Sequence, residues 1–245
     1  MTSHVDPKRL EILSQNRKRI FEKIQEHSPL AASEVTLICV TKRHSHKAME
    51  DLLCLGETHM GESYVQDAVK KIEALGDKAK SIHFHFIGRL QKNKVKKCLA
   101  YFHTIHSVDS LGLMKKISEE AKKAEKRVEV LFQVNTSGEE SKTGFLPSAL
   151  EEAFELYKDL SHIRCIGLMT MAPLVEPEKT RPFFRHLALL RNQWRREFPE
   201  VTQLSMGMSN DYIVALEEGA TMIRIGSGLF QNYTEERDLY GSSGH

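Results

Sequence analysis

The residue with the clearest chemical potential is a lysine that follows a strongly apolar segment. Thr36 to Val40 is a continuous apolar, β-branched run, and Thr41 and Lys42 come directly after it. Such a run predicts a strand that is buried on both faces, as in a parallel sheet. We expect a lysine at the end of this strand to be partly desolvated, which favours a neutral amine that can attack a carbonyl carbon. The alternative is a lysine that simply extends into solvent.

Two later segments have the composition of a phosphate-binding site. Residues 205–209 and 224–228 are rich in glycine and serine, and each precedes a predicted helix. Backbone N–H groups at such positions bind phosphate, so Ser209, Gly226 and Ser227 are candidate contacts. The same residues could instead serve only as tight turns and helix caps.

Arg224 adds a permanent cation to the same group of candidates. Its guanidinium can bind phosphate or donate a hydrogen bond to the nitrogen of a heteroaromatic ring. A lysine, an arginine and a phosphate site together suit a phosphorylated aldehyde held as a Schiff base, and pyridoxal 5′-phosphate (PLP) is the obvious example. An arginine cannot supply the carboxylate that keeps a pyridine nitrogen protonated, so the ring would be a weak electron sink. This favours racemisation or simple holding of the cofactor over transamination.

The elements that would position these residues alternate regularly along the chain. Asp6 and Pro7 begin a predicted N-terminal helix, and eight short apolar runs separated by helical patterns follow it. The predicted strands lie at 36–42, 58–61, 81–87, 102–108, 128–134, 163–169, 201–206 and 221–225. Because no hairpin signal separates them, they predict a parallel sheet. Eight units favour an α/β fold with a single (β/α)8 barrel of the TIM type and an extra N-terminal helix. A last helix is expected from Gly228.

An open, doubly wound sheet is the alternative fold, but it usually has a glycine-rich turn after its first strand, and this chain has none there. In a closed barrel the carboxyl ends of all strands meet on one face, where barrel enzymes have their active sites. That face would bring Lys42, Arg224 and the two glycine- and serine-rich segments together. We expect one domain over residues 1–240 and a flexible tail at 241–245.

The composition argues against several other classes of protein. A chain of 245 residues with 40% apolar and 28% charged residues is typical of a globular domain, and its net charge of +2 gives no reason to expect nucleic acid or a membrane as its partner. The four cysteines are widely separated and no apolar run approaches a membrane span, so we expect reduced thiols and a cytoplasmic location.

His83, His85, His103 and His106 could form a metal site. No carboxylate accompanies them at ligand spacing, so hydrogen-bonded packing is favoured and no metal is expected.

Six motifs follow one another between Val35 and Phe230. They are HFIGRLQKNKV from His85, IHSVDS from Ile105, QVNTSGEESKTG from Gln133, GLMTM from Gly167, SMGMSND from Ser205 and GATMIRIGS from Gly219. Together they resemble the pyridoxal phosphate homeostasis proteins, which are related to the N-terminal barrel of alanine racemases. The resemblance implies a single barrel that binds PLP as an aldimine on Lys42.

The resemblance also implies a set of cofactor contacts. These are Lys42, Ser209, Arg224, Gly226, Ser227, Met206, His85 and Ser63. Arg224 would contact the ring nitrogen, and Met206 and His85 would line the pocket. Ser63 stands where the family usually has an asparagine, so a hydroxyl would replace an amide near the cofactor.

The family's role is to buffer and deliver PLP rather than to turn over a substrate. The predicted function is therefore vitamin B6 homeostasis without robust catalysis, with PLP-dependent apo-enzymes as possible recipients and a monomer as the expected state. Alanine racemases take a second base from a separate β domain, for which the chain has little room after the eighth strand. Two alternatives remain: a racemase-like enzyme in which Lys42 and Tyr64 exchange the α-proton, and a Schiff-base aldolase acting on phosphorylated sugars.

Overall fold

Eight parallel strands form a closed barrel at the centre of the fold. The computed structural model describes residues 6–139 and 142–235, and within these ranges each strand pairs with the next in the chain while the last returns to the first. The strands are β1 Thr36–Val40, β2 His59–Glu62, β3 His83–Phe86, β4 Thr104–Val108, β5 Val128–Gln133, β6 Ile163–Met169, β7 Gln203–Met208 and β8 Met222–Ile225. The predicted α/β barrel is therefore confirmed. The expected tail at 241–245 lies outside the described residues.

Helices cover the outer surface of the barrel. They are α1 Pro7–His27, α2 His46–Cys54, α3 Val65–Leu75, α4 Val95–Tyr101, α5 Leu111–Lys123, α6 Leu150–Lys158, α7 Arg181–Trp194 and α8 Tyr212–Glu217. Their apolar faces pack on outward-facing strand residues such as Phe84, Phe86 and Phe132, which form the main core. A separate small cluster of Ile38, Leu131, Ile166, Met169 and Met222 contains residues from four strands. These side chains fill the inside of the barrel, as the alternation of strand residues requires.

The N-terminal helix takes the place of the helix expected after β8. Its start is as predicted, with Pro7 in the first turn and the Asp6 side chain accepting a hydrogen bond from the Lys8 N–H at 2.9 Å. The helix packs against both α2 and α8 and so closes the outer ring. The prediction of a helix from Gly228 is wrong for the described residues, because 227–232 form turns. The Asn16 amide of α1 donates to the Leu229 and Gln231 carbonyl oxygens (3.0 and 2.8 Å) and holds this segment on the helix.

The cysteines and helices fit the expectations from composition. Cys39, Cys98 and Cys165 are buried, Cys54 is exposed, and all four are free thiols. Throughout the described ranges, no helix is both long enough and apolar enough to span a bilayer.

Candidate functional site at the barrel mouth

Lys42 lies at the mouth of the barrel, in the turn that follows β1. The strand ends at Val40, and residues 42 and 43 form the turn that leads to α2. The lysine side chain is exposed and makes no hydrogen bond or ion pair with any described residue. The expectation of a partly desolvated lysine is therefore wrong, because the residue lies two positions past the strand and no neighbouring element covers it. The position at the mouth is as predicted.

A buried ion pair fixes the backbone just before Lys42. The Thr41 hydroxyl donates to Glu62 Oε1 at 2.7 Å, and Lys71 Nζ of α3 donates to the same oxygen at 2.5 Å and to the Thr41 carbonyl at 3.0 Å. The Glu62 side chain is fully buried. Burial raises the pKa of this carboxyl, and the charge of Lys71 opposes the increase. We call Thr41, Glu62 and Lys71 the β1 clamp.

Arg224 lies deeper than Lys42, at the floor of the mouth. Its Nη1 donates to the Ser205 hydroxyl at 2.7 Å and its Nη2 donates to the Thr170 carbonyl at 3.0 Å, and the residue is only 4% exposed. Burial lowers the pKa of Arg224 to about 10, with the charge of Asp211 opposing the decrease, so the guanidinium remains cationic at neutral pH. These two hydrogen bonds use two of the five N–H donors of a guanidinium and leave three for a ligand.

The loops after β7 and β8 meet as the candidate phosphate site. The Ser209 hydroxyl accepts a hydrogen bond from the Gly228 N–H at 3.1 Å, which joins the two loops. The backbone N–H groups of Ser209, Gly226 and Ser227 donate to no other described residue. Ser227 is exposed, and Ser209 and Gly226 are partly exposed. Unused N–H donors that are open to solvent suit an anionic ligand.

Two glycines lie close to β1, Gly61 in β2 and Gly226 just after β8. A Cβ atom on Gly61 would lie 2.9 Å from Ile38 Cγ2 inside the barrel, and a Cβ on Gly226 would contact Val40. Neighbouring side chains thus already fill the space beside Gly61, whereas the contact at Gly226 is an ordinary van der Waals one.

Ser63 lies in the turn after β2, which packs against the turn after β3. The residue is partly exposed, and a Cβ atom on Gly88 would lie 2.1 Å from the Ser63 carbonyl oxygen. Only glycine allows this approach, so the Gly88 of the HFIGRLQKNKV motif brings the two turns together. The structure thus places Ser63 at the rim, where the resemblance puts it.

Met206 and His85 are not at the rim. Met206 is 0% exposed and belongs to the main core between barrel and helices, so the structure does not support it as a pocket residue. Its neighbour Ser205 is the residue that contacts Arg224. His85 is 1% exposed and lies inside the barrel, where its imidazole is hydrogen-bonded to those of His59 and His106.

Ser205, Thr170 and His106 were expected at strand ends but not among the predicted contacts of the site. All three lie in the motifs on which the resemblance rests, SMGMSND, GLMTM and IHSVDS. That location was the available signal. The histidines of β3 and β4 are hydrogen-bonded, as favoured above, and among the described residues no three His, Cys, Asp or Glu side chains are arranged to hold a metal ion.

Comparison with known proteins defines the class to which this barrel belongs. The family described as "Alanine racemase, N-terminal domain" matches residues 15–234. A solved alanine racemase of Clostridium difficile superposes with a TM-score of 0.70 at 16% identity, over 90% of this chain and 55% of that one. At this identity the likeness shows the fold alone. The protein is a barrel of the alanine racemase N-terminal type.

More similar relatives narrow this class. The pyridoxal phosphate homeostasis protein of Aquifex aeolicus is 41% identical over 217 residues, which is 86% of this chain and 94% of the relative. That of Schizosaccharomyces pombe is 34% identical over 83% of this chain and 86% of its own length. PipY of Synechococcus elongatus, solved with PLP bound, is 30% identical with a TM-score of 0.78, over 91% of this chain and 99% of that one. The chain belongs to the pyridoxal phosphate homeostasis protein family.

Proposed function

We propose that the protein binds PLP at the barrel mouth and holds it reversibly, as part of vitamin B6 homeostasis in the cytoplasm. The observation that carries the proposal is the arrangement on one face of an exposed lysine, a buried cationic arginine and a pair of loops with unused N–H donors. These groups match three of the polar parts of PLP, which are its aldehyde, its ring nitrogen and its phosphate. The PLP bound to PipY, at 30% identity, supports the same ligand here.

Lys42 is the proposed covalent anchor. Its amine would hold the cofactor through the aldehyde carbon as a Schiff base, with the aldehyde oxygen released as water. The reaction is reversible because water can enter an open mouth and hydrolyse the bond. An exposed lysine suits a protein that must release the cofactor as well as hold it.

Ser209, Gly226 and Ser227 are the proposed phosphate contacts, and Arg224 is the proposed contact of the ring nitrogen. The guanidinium is a donor only and keeps its proton, so it can hydrogen-bond to an unprotonated ring nitrogen but cannot be the carboxylate partner that keeps that nitrogen protonated. PLP supplies an electron sink that is strongest when the ring nitrogen is protonated. The site is therefore built to bind the cofactor more than to drive chemistry on an amino acid.

The test of this proposal is chemical trapping. Purified protein is incubated with PLP, reduced with borohydride, digested and mapped by mass spectrometry. We expect a pyridoxyl group on Lys42, and no adduct at this peptide in Lys42→Ala. Lys94→Ala, which removes another lysine from a loop after a strand, is the matched control and should keep the adduct. An adduct that is absent from the wild-type protein, or present only on other lysines, would contradict the proposal.

The same preparation tests whether the protein is a carrier or a racemase-like enzyme. Tyr64 is 63% exposed beside Ser63, so it is the available candidate for a second proton-transfer group at the rim. We expect no conversion of L-alanine to D-alanine above the rate of free PLP. Turnover that disappears in both Lys42→Ala and Tyr64→Phe would favour the racemase-like enzyme instead.

Delivery to PLP-dependent apo-enzymes is the proposed use of the bound cofactor, with the protein acting as a monomer. PLP-loaded protein, freed of unbound PLP, is mixed with an apo-aminotransferase in the presence of a phosphatase that destroys free PLP. We expect activity to return faster than with an equal amount of free PLP. Equal rates would show that the cofactor is released to solvent first. The sedimentation coefficient of the loaded protein tests whether it is a monomer.

A further inference from the structure

A row of histidines crosses the inside of the barrel below the mouth. His59 Nδ1 lies 2.9 Å from His85 Nε2, and His85 Nδ1 lies 2.9 Å from His106 Nε2. His106 Nδ1 lies 2.8 Å from the Ser205 hydroxyl, which accepts from Arg224 at 2.7 Å. One continuous hydrogen-bonded chain therefore joins β2, β3, β4, β7 and β8 and ends on the arginine at the floor of the candidate site. We call it the histidine chain.

Arg224 sets the direction of the whole chain. A guanidinium can only donate, so the Ser205 oxygen is the acceptor in that bond. Ser205 is 0% exposed, and among the described residues the only other partner of its hydroxyl is His106, so the hydroxyl proton must go to His106 Nδ1. If His106 donated instead, the buried hydroxyl proton would have no acceptor, which costs about 1–3 kcal/mol.

The same logic passes along the row of imidazoles. His106 accepts at Nδ1 and must carry its proton on Nε2, which donates to His85 Nδ1. His85 then carries its proton on Nε2 and donates to His59 Nδ1. A doubly protonated imidazole has no acceptor and would interrupt the chain. Burial keeps both histidines neutral, because it holds the pKa of His85 and of His106 well below the ordinary value, and for His106 the charge of Arg224 acts in the same direction.

We propose that Ser205, His106 and His85 are positioning residues that fix the guanidinium of Arg224 for contact with the ring of the bound cofactor. The inference rests on the proposed PLP site. Arg224 has no ion pair with any described residue, and its hydrogen bonds to Ser205 and Thr170 are the polar contacts that orient it. Ser205 is itself oriented by His106, and His106 by His85. The donors that remain on the guanidinium are thereby kept available to a ligand in the mouth.

The first test needs no cofactor. Two-bond ¹H–¹⁵N correlation spectra of the ligand-free protein at neutral pH report which imidazole nitrogen carries the proton. We expect His85 and His106 to be neutral with the proton on Nε2. A proton on Nδ1 of His106, or an imidazolium at either residue, would overturn the chain. This result stands whether or not PLP binds, so it is separate from the trapping experiment on Lys42.

The second test removes the link between the chain and the arginine. In Ser205→Ala we expect PLP to bind about tenfold more weakly by equilibrium dialysis, because Arg224 loses a hydrogen bond to an oriented acceptor. The ¹⁵N shift of the ring nitrogen of labelled PLP should move toward that of the free cofactor, while the Lys42 adduct still forms. Ser205→Thr keeps the hydroxyl but adds a methyl group at a fully buried site, and we expect it to retain the tautomers and most of the affinity.

His83→Ala is the control for packing. The His83 ring lies 4.6 Å from that of His85, but its hydrogen bond goes to Thr104, outside the chain. We expect this variant to change PLP affinity less than about twofold. If Ser205→Thr weakens binding as much as Ser205→Ala, or if His83→Ala matches the effect of Ser205→Ala, packing explains the result and the positioning role is wrong. If no variant binds PLP but the tautomers are as stated, the proposed function fails instead.

Discussion

Lys42 and Arg224 are two cations on the same face of the barrel, and they are held in opposite ways. Lys42 is exposed, two residues past the end of its strand, and has no partner among the described residues. Arg224 is within β8, 4% exposed, and hydrogen-bonded to Ser205 and Thr170. The difference means that neighbouring residues hold Arg224 in place, whereas no described side chain holds the Lys42 amine.

Preorganisation explains why this difference would suit the proposed role as a cofactor carrier. A fixed arginine loses little conformational freedom on binding, so more of its interaction energy appears as affinity. The proposed covalent bond to the exposed Lys42 would add retention, and water could reverse it. The contrast predicts that losing Arg224 weakens binding of the cofactor before any bond forms, whereas losing Lys42 removes only the bond.

The largest expected effect follows from Arg224→Met. The variant loses charge-assisted hydrogen bonds of about 2 kcal/mol to the ligand, so we expect PLP affinity to fall about 30-fold. Equilibrium dialysis in a Lys42→Ala background measures this non-covalent step separately. Arg89→Met, which removes an exposed arginine after β3, is the matched control and should have little effect. Unchanged affinity in Arg224→Met would show that Arg224 does not contribute to binding of the cofactor.

A smaller effect on the cofactor site is expected at the β1 clamp, which holds the backbone before Lys42. Lys71→Met leaves the fully buried Glu62 carboxylate without its cation, and we expect a loss of about 2 kcal/mol in the free energy of unfolding. Borohydride trapping at Lys42 should also be several-fold slower, because the Thr41 carbonyl loses the Lys71 donor.

Lys70→Met is the control for this prediction, because Lys70 is the exposed neighbour of Lys71 on α3. It should change the free energy of unfolding by less than about 0.5 kcal/mol. Urea titration measures both variants. Equal losses in the two, or trapping at the wild-type rate in Lys71→Met, would mean that the clamp does not position the lysine.

Local patterns in the sequence were sufficient to predict the barrel and to place most of the candidate residues at its rim. Alternating apolar runs and helical segments predicted eight units, and the position of each strand end placed Lys42, Ser63 and the two loops on one face. What they could not predict is the exposure of Lys42. Exposure depends on whether another element covers the residue, and that is decided by segments far away in the chain.

Two other expectations differ from the structure. The resemblance put Met206 in the pocket, whereas alternation along β7 turns Ser205 toward Arg224 and leaves Met206 in the outer core. The missing helix after β8 depends on Asn16, whose contact with Leu229 spans 213 positions in the sequence.

The smallest expected effect concerns the far side of the Lys42 turn, where Glu235 accepts hydrogen bonds from the Ser45 N–H at 3.0 Å and from His44 at 3.2 Å. Burial raises the pKa of Glu235, but these hydrogen bonds outweigh it and lower the pKa to about 2 from an ordinary value of 4.5. A lowered pKa means that the folded state prefers the carboxylate, so this stabilisation is complete above pH 4.5 and is lost as the pH falls toward 2. We expect Glu235→Gln to reduce the free energy of unfolding by about 1 kcal/mol at pH 6, and by less at pH 3, because the amide no longer titrates.

Urea titrations at the two pH values measure the difference, and Glu119→Gln, at an exposed carboxylate of α5, should show none. A Glu235→Gln deficit that is the same at both pH values would show that the carboxylate charge does not hold this side of the Lys42 turn.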